Sequence, residues 1–458
     1  MKRLLALLVL IAVGFLQAAP LSDFSLSTYG PESVVPGHYM FFVVSGTVVT
    51  GENDQMVTPS IAGLPAGVTA EFINLTRFCC GTKLWRVDSA TPVKISASVS
   101  ATPGTYPLTI TYLTDNAVSK STEYSLTVLD QPTPLVLGEF AEVTATPNLA
   151  KWESNMVTYG KSHCVPEEMS LWEGFAWYYD GQRVYFQIAD YTKDLSWNTC
   201  AAMEEGVYRP FVISNNGAIQ GWRVFPHGLA MDVERFGDSA SRDAAVMLYT
   251  GGYAKNQQLI GHINWDASRE VAYALNAAVV RERLGFPREA ELQDMAEIVL
   301  GHFDQWFVSE KATYTQPFMV ALSAEALIGY YELTEDDRVP PLLKLAADQL
   351  WANSWDGTSA SFLYENGDTT TSVAPDINLL IVPLYGWVYR QTADLDYRTN
   401  GDAAFTAGVD GAWLAGGKQF SENYRWSFDY LRWRNAGVAP TPAHTIRGRV
   451  KINVVGTP

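Results

Sequence analysis

From residue 149 to residue 434, apolar positions recur at helical spacing. In Glu289–Trp306, the residues Leu292, Met295, Ala296, Val299, Phe303 and Trp306 share one face of a helix. The same spacing runs through Pro317–Tyr331 and Leu342–Trp351. Short breaks recur between paired segments: Ala189–Asp190, Gly237–Asp238, Gly285–Phe286, Glu335–Asp336 and Ala393–Asp394, in steps of 48, 48, 50 and 58 residues. A period of this size predicts a repeat of helical hairpins. The first helices are expected at Leu171–Ala189, Trp222–Phe236, Ala267–Leu284, Gln316–Leu333 and Ile377–Gln391, with a sixth at Glu422–Arg434. Their partners are expected at Trp197–Tyr208, Ser239–Tyr253, Arg288–Phe307, Val339–Trp355 and Tyr397–Leu414, and an unpaired helix at Leu149–Tyr159 opens the series.

Pairing the first helix with the last completes six hairpins and closes an all-α (α/α)6 toroid over residues 148–434. Closure covers the apolar stripe of every hairpin. An open solenoid is the alternative, but the final helix, with Trp426, Phe428, Tyr430, Leu431 and Trp433, is far from a polar cap. Connections within hairpins are short. Those between hairpins are long, as at Val212–Gly221, Ala254–Asp266 and Asp356–Pro375. One face is therefore built up, and long loops on a rigid scaffold are where sites sit.

The N-terminal part has another pattern. Lys2–Arg3, the apolar run Leu4–Leu16 and Gln17–Ala18–Ala19 read as a secretory signal over residues 1–19. The run is too short to span a membrane comfortably, and no transmembrane segment is expected after it; the protein is expected to be secreted, periplasmic or at the cell surface. Over residues 20–130, short β-rich runs (Val43–Thr50, Val68–Phe72, Val93–Val99, Tyr106–Tyr112, Glu123–Val128) alternate with turns and predict a β-sandwich. The stretch Ala101–Ile110, closing with Tyr124–Val128, resembles bacterial immunoglobulin-like domains, a resemblance that implies a fold and a spacer or platform role. Pro-containing residues 131–147 read as a linker. Residues 435–458 form a tail with one expected strand, Thr445–Val455. Asn74–Leu75–Thr76 matches a glycosylation sequon by chance more readily than by use.

Charge and cysteines narrow the picture. The formal charge is −17 and most of the deficit lies in the helical region, which disfavours nucleic acid as a partner. Cys79 and Cys80 are adjacent. Cys164 and Cys200 are candidates for a bridge suited to an oxidising compartment. No Cys/His set has zinc spacing, so no metal and no cofactor is expected.

Candidate chemistry gathers on the long loops. His262, Asn264, Trp265, Asp266, Arg269 and Glu270 form the densest cluster. Asp266 is a natural helix cap and Glu270 suits a helix start; alternatively both carboxylates enter the ring mouth, with Trp265 as a sugar platform and Arg269 tuning their acidity. A second cluster is Trp222, Arg223 and His227, and a third is Tyr364, Glu365 and Asp376; Tyr314 lies on a loop between them. Trp172–Glu173 and Glu422–Asn423 complete the circle, while Asp180, Asp232, Glu234 and Glu325 lie deeper in their helices.

A helical ring after an export signal and a β-sandwich resembles the six-hairpin glycosidase superfamily and the toroid polysaccharide lyases. The likeness covers Leu149–Arg434 and is architectural, so it transfers no catalytic residue by position. Toroids also serve terpene cyclases, whose acidic metal motifs are not visible here. The resemblance implies a poly- or oligosaccharide substrate. Three readings stay open. The first is a glycoside hydrolase using an acid/base pair from Asp266, Glu270, Glu365 and Asp376. The second is a lyase in which His227 or His262 works with Tyr314, and Arg223 or Arg269 neutralises a uronate. The third is a non-catalytic glycan-binding surface protein, which a mouth plugged by side chains would favour.

Overall fold

The computed structural model describes residues 23–51, 56–73, 86–88, 90–133, 135–251, 262–367 and 372–436. The expected signal, the sequon, Cys79–Cys80 and the tail strand lie outside these residues. The N-terminal region is β-rich and the C-terminal region helical.

Eight strands build the β region: β1 (Asp23–Tyr29), β2 (Ser33–Val34), β3 (Tyr39–Thr50), β4 (Val57–Ala62), β5 (Val68–Phe72), β6 (Thr91–Ala97), β7 (Gly104–Thr114) and β8 (Ser119–Val128). They form two four-stranded sheets, ordered β1-β3-β6-β5 and β2-β8-β7-β4. All pairings are antiparallel except β2 with β8. Alternate residues of both sheets, among them Phe42, Val93, Ile95, Leu108, Ile110 and Leu126, meet in one core. That two-sided burial is what the period-2 pattern encodes. Strands β1, β2 and β4 were not expected from the sequence.

The helices are α1 (Leu149–His163), α2 (Gly181–Thr192), α3 (Trp197–Ser214), α4 (Pro226–Phe236), α5 (Ser239–Thr250), α6 (Ser268–Arg283), α7 (Glu291–Phe307), α8 (Pro317–Thr334), α9 (Val339–Ser354), α10 (Asn378–Thr392), α11 (Leu395–Gly411), α12 (Gly417–Tyr424) and α13 (Ser427–Arg434). Four of the five breaks read from the sequence are helix ends with a physical cause; the first, Ala189–Asp190, lies inside α2, which ends at Thr192. Lys193, Gly237, Gly285, Glu335 and Ala393 all take left-handed backbone at these ends, the conformation that stops a helix. Asp238 and Asp394 then cap the next helix, accepting from the amides of Ser241 (2.8 Å) and Asp396 (3.0 Å).

Two layers result. Helices α6, α8 and α10 are buried over nearly their whole circumference, as an inner layer must be. Helices α2, α4, α6, α8 and α10 neighbour one another in that order, α10 packs on α13, and α12 returns to α2. The ends of the array also meet. Tyr424 of α12 donates to the Trp152 carbonyl of α1 (2.8 Å), and the Trp152 indole donates to Ser427 of α13 (3.3 Å).

Three expected boundaries move. Residues 171–180 form turns, so α2 begins only at Gly181. α3 continues through Pro210 to Ser214. The last expected helix breaks at Arg425–Trp426 into α12 and α13. The segment read as a linker is strapped to the helices: Gly138 donates to the Thr392 carbonyl (3.1 Å), and Phe140 meets Tyr389 edge-on at 5.6 Å. The β region docks on α7, where Tyr39 bonds to Asp294 (2.5 Å) and Asp304 accepts from Ser33 and from the Glu32 amide (3.2 Å). Among the described residues no helix is long and apolar enough to cross a membrane.

Candidate functional site

The segment 164–180, between α1 and α2, is held at several points. Cys164 and Cys200 form a disulfide with a Cα–Cα separation of 5.2 Å. His163 links Glu168 (2.6 Å) to the Leu414 carbonyl (2.8 Å). The segment ends at Tyr178–Tyr179–Asp180, where Tyr179 (φ 64°) and Asp180 (φ 67°) are both left-handed. Two consecutive non-glycine residues in that region carry strain that the surroundings must hold. Asp180 is buried, and its carboxylate accepts from the Gly228 amide at 3.1 and 3.2 Å. A Cβ on Gly228 would lie 2.5 Å from Asp180 Oδ1 and 2.8 Å from the Arg183 amide, so the close approach requires glycine.

Helix α12 leans on this segment. Ser421 donates to the Ala176 carbonyl (2.6 Å), and the Lys418 amide donates to the Gly174 carbonyl (2.9 Å). This brings Glu422 beside Tyr179, with the Lys418 ammonium 5.1 Å from the Tyr178 ring centroid. Glu422 is 7% exposed. Burial pushes its carboxyl up to about 7; Lys418 opposes the rise, the Asp376 carboxylate adds to it, and Tyr179 and Arg425 pull it back. Asp376 sits half-buried in the turn Pro375–Ile377 that starts α10. The Tyr179 hydroxyl is pushed well above its ordinary value by burial and by Glu422, so it keeps its proton.

Below this pair the axis is filled. Arg183 bonds Glu325 (2.5 Å) and Asp429 (3.2 Å), while Arg425 bonds Glu325 (2.6 Å) and the Tyr273 hydroxyl (3.1 Å). The Tyr273 hydroxyl is raised to about 12, mainly by burial. The network pairs two guanidiniums with two carboxylates and forms a floor.

At the rim, Arg223 binds Glu173 through Nε (2.7 Å) and Nη2 (2.6 Å), and Trp222 reaches the same carboxylate at 3.4 Å. Although burial raises Glu173, Arg223 brings it below the ordinary carboxylate value. Arg269 binds Glu270 at 2.7 and 3.1 Å. Trp172 and Trp222 present exposed rings.

The sequence-predicted residues thus divide. Trp222, Arg223, Arg269, Glu270 and Asp376 form an inner group around Glu173, Tyr179 and Glu422, with Trp172 next to Glu173 in the chain. Trp265, Asp266, Tyr314, Tyr364 and Glu365 form an outer group: Trp265 meets Tyr314 edge-on at 4.2 Å, Gln316 donates to Glu365 (3.0 Å), and Tyr364 packs on Phe318. Asp266 is exposed and acts electrostatically on Tyr29 and Tyr314. Glu270 is tied to Arg269 and lies against Gly221. Those two carboxylates, expected to share the mouth, have different neighbours. His227 lies behind Asp180, 4.0 Å from its carboxylate, and burial with Arg183 and Arg425 holds the imidazole neutral. The His262 carbonyl bonds His302 (2.9 Å). Tyr178, Tyr179, Lys418 and Arg425 went unnoticed in the sequence, and Glu422 was only a member of the circle. The available signal was Asp180–Gly181, a turn dipeptide after three aromatics, which argues against a helix through residue 180.

Among the described residues one acidic group has metal-binding spacing, Glu205, Asp232 and Asp238. The Arg209 guanidinium already bridges Glu205 and Asp238.

No family model and no curated protein matches the chain. Solved structures with some likeness include a family 76 glycoside hydrolase from a bovine Bacteroides thetaiotaomicron strain, at 10% identity and a TM-score of 0.31, covering 84% of this chain and 77% of that one. A Salmonella alpha-2-macroglobulin mutant is 10% identical with a TM-score of 0.33; the match covers 89% of this chain and 27% of that one. A family 123 glycoside hydrolase from Clostridium perfringens is 12% identical with a TM-score of 0.18, covering 37% and 36%. At these scores the likenesses assign neither family nor activity.

Proposed function

We propose that the chain is an exported glycoside hydrolase acting on a poly- or oligosaccharide. In this reading the helical region is an (α/α)6 toroid and the β region an immunoglobulin-like platform. The observation that carries the reading is Glu422, a buried carboxyl raised to about 7 beside the Asp376 carboxylate. A carboxyl held neutral, with a second carboxyl group acting on it, is what acid/base cleavage of a glycosidic bond needs. Glu422 protonates the leaving oxygen as the bond to the anomeric carbon breaks. Asp376 takes a proton from the water that attacks that carbon. Tyr179 orients Glu422, and Trp222, Trp172 and Tyr178 offer ring faces to the sugar. The Cys164–Cys200 bridge suits an oxidising compartment.

The test is incubation with neutral and uronate-containing polysaccharides, following reducing ends and the absorbance of unsaturated ends. Reducing ends without absorbance, lost in Glu422→Gln and Asp376→Asn, support hydrolysis. Absorbance would instead indicate elimination. That reading draws little from the geometry, because His227 sits behind Asp180 whereas Tyr314 packs on Trp265.

A second reading, glycan binding without chemistry, is favoured by the floor of Arg183, Glu325, Arg425 and Asp429, which plugs the axis beneath the mouth. Glycan retention with no product from any polysaccharide would make it the better one.

A further inference from the structure

One described cavity lies apart from the residues around Glu422. It lies over the C-terminal ends of α7 and α9, has a volume of about 360 Å³, and is closed on one side by a two-stranded ribbon, β9 (Tyr314–Thr315) with β10 (Asn366–Gly367). Its size falls at the small end of ligand sites. The walls combine amides, hydroxyls and aromatic rings. Gln349 and Asn353, one turn apart on α9, are joined by a hydrogen bond from Asn353 Nδ2 to Gln349 Oε1 (2.7 Å). That bond leaves Gln349 its two amide hydrogens and Asn353 its carbonyl oxygen for a guest. Asn366 faces them from the ribbon, and Trp306 and Tyr314 complete the walls. Trp306 is 6% exposed, and its indole N–H has no acceptor in the fold. Among the described residues, Glu310 is the one charged residue lining the space.

We infer that this cavity is a second saccharide site, which holds a neutral segment of a glycan chain while another segment occupies the mouth. The ligand class follows from the walls. Paired amides offer donors and acceptors side by side, matching the hydroxyls of a sugar ring. The rings match its C–H face. A single carboxylate with no lining cation makes an anionic guest unfavourable, and a mostly polar wall makes an apolar one so. The ribbon is built from the same inter-hairpin loops that frame the mouth, so one extended chain can meet both. The idea of a shared glycan rests on the proposed function; the cavity's own binding does not.

The test uses the full chain in affinity electrophoresis through gels containing soluble xylan, mannan, α-glucan or β-glucan. Retardation by at least one polysaccharide is expected. It should survive Trp222→Ala at the mouth and weaken at least fivefold in Gln349→Ala/Asn353→Ala, whose exposed or half-buried side chains leave the core intact. Retardation undiminished in the double variant, or no retardation of the parent by any of the four, overturns the inference. Retardation lost in the double variant together with an absence of reducing-end release would refute the hydrolase reading and leave this site standing.

Discussion

Replacing Glu422 by Gln isolates the feature on which the mechanism turns. The native carboxyl is raised from 4.5 to about 7. A raised acid stays neutral in the folded chain while its unfolded counterpart ionises, so between those values the unfolded state binds fewer protons and stability falls as pH rises. Below 4.5 both states are protonated and the group contributes nothing. Above 7 the full cost is present: 2.5 units at about 1.4 kcal/mol each is ~3 kcal/mol. Gln has nearly the same shape and no charge to bury. Urea unfolding of both proteins from pH 4 to pH 8.5, read by tryptophan fluorescence, should therefore give similar midpoints at pH 4. The variant should become more stable by up to ~3 kcal/mol at pH 8 and above, while losing hydrolysis at every pH. Curves that stay parallel across the range would mean that Glu422 is not held neutral, and the assignment of a general acid would fall with it.

Hydrolysis by the native chain should decline as pH rises through about 7, where Glu422 loses its proton. In Asp376→Asn that titration, followed by the stability difference or by NMR of labelled Glu, should move to lower pH because a neighbouring negative charge is gone; in Lys418→Met the activity limb should move to higher pH. Cys164→Ser/Cys200→Ser opens a crosslink spanning 36 residues, and chain entropy puts the loss at about 4 kcal/mol; urea midpoints with and without reductant check it. Glu325→Gln leaves Arg183 and Arg425 without their shared carboxylate and should cost roughly 3–5 kcal/mol, so calorimetry should show a large fall in Tm; full stability with lost activity would instead make Glu325 part of the machinery. Gly228→Ala should cost about 1–3 kcal/mol through overpacking against Asp180 and lower kcat by displacing Tyr179, measurable in one preparation by unfolding and by reducing-end release.

Much of the fold was legible because the cues were local. Left-handed residues recur at each hairpin turn, Asp238 and Asp394 cap the helices that follow two of them, and an apolar stripe at helical spacing precedes and follows the turns. Strand β2 was not legible because two residues carry no alternation, and β4 because Pro59 interrupts its six-residue run; the seven-residue β1 was not expected either. The Cys164–Cys200 bridge could be suggested but not forced, because proximity depends on how α1 and α3 pack. Of the candidate residues, Asp376, Arg223, Trp222 and Arg269 lie near Glu173, Tyr179 and Glu422, but their partners were not legible. What distinguishes Glu422 from Asp266 is burial, and burial is a tertiary property: Glu422 is covered by the segment before α2, whereas Asp266 stands exposed at the start of α6.

Departures from regular pattern are spread along the described residues, and several of them gather at one place. The shortened start of α2, the left-handed Tyr179–Asp180 pair, the glycine demanded at residue 228 and the break between α12 and α13 all border Glu422 or the ion network beneath it. Each one costs stability locally, through backbone strain, lost helix or buried charge. A scaffold needing only to be closed and stable could extend α2 back to Leu171 and run α12 straight into α13. A chain that instead places a neutral carboxyl over a rigid ionic floor gains a proton donor whose acidity is set by fixed neighbours, with little freedom to relax. Local costs beside a titratable group are the pattern expected of a functional site, and under the proposed function they would tie the ion network to chemistry at Glu422 as well as to stability.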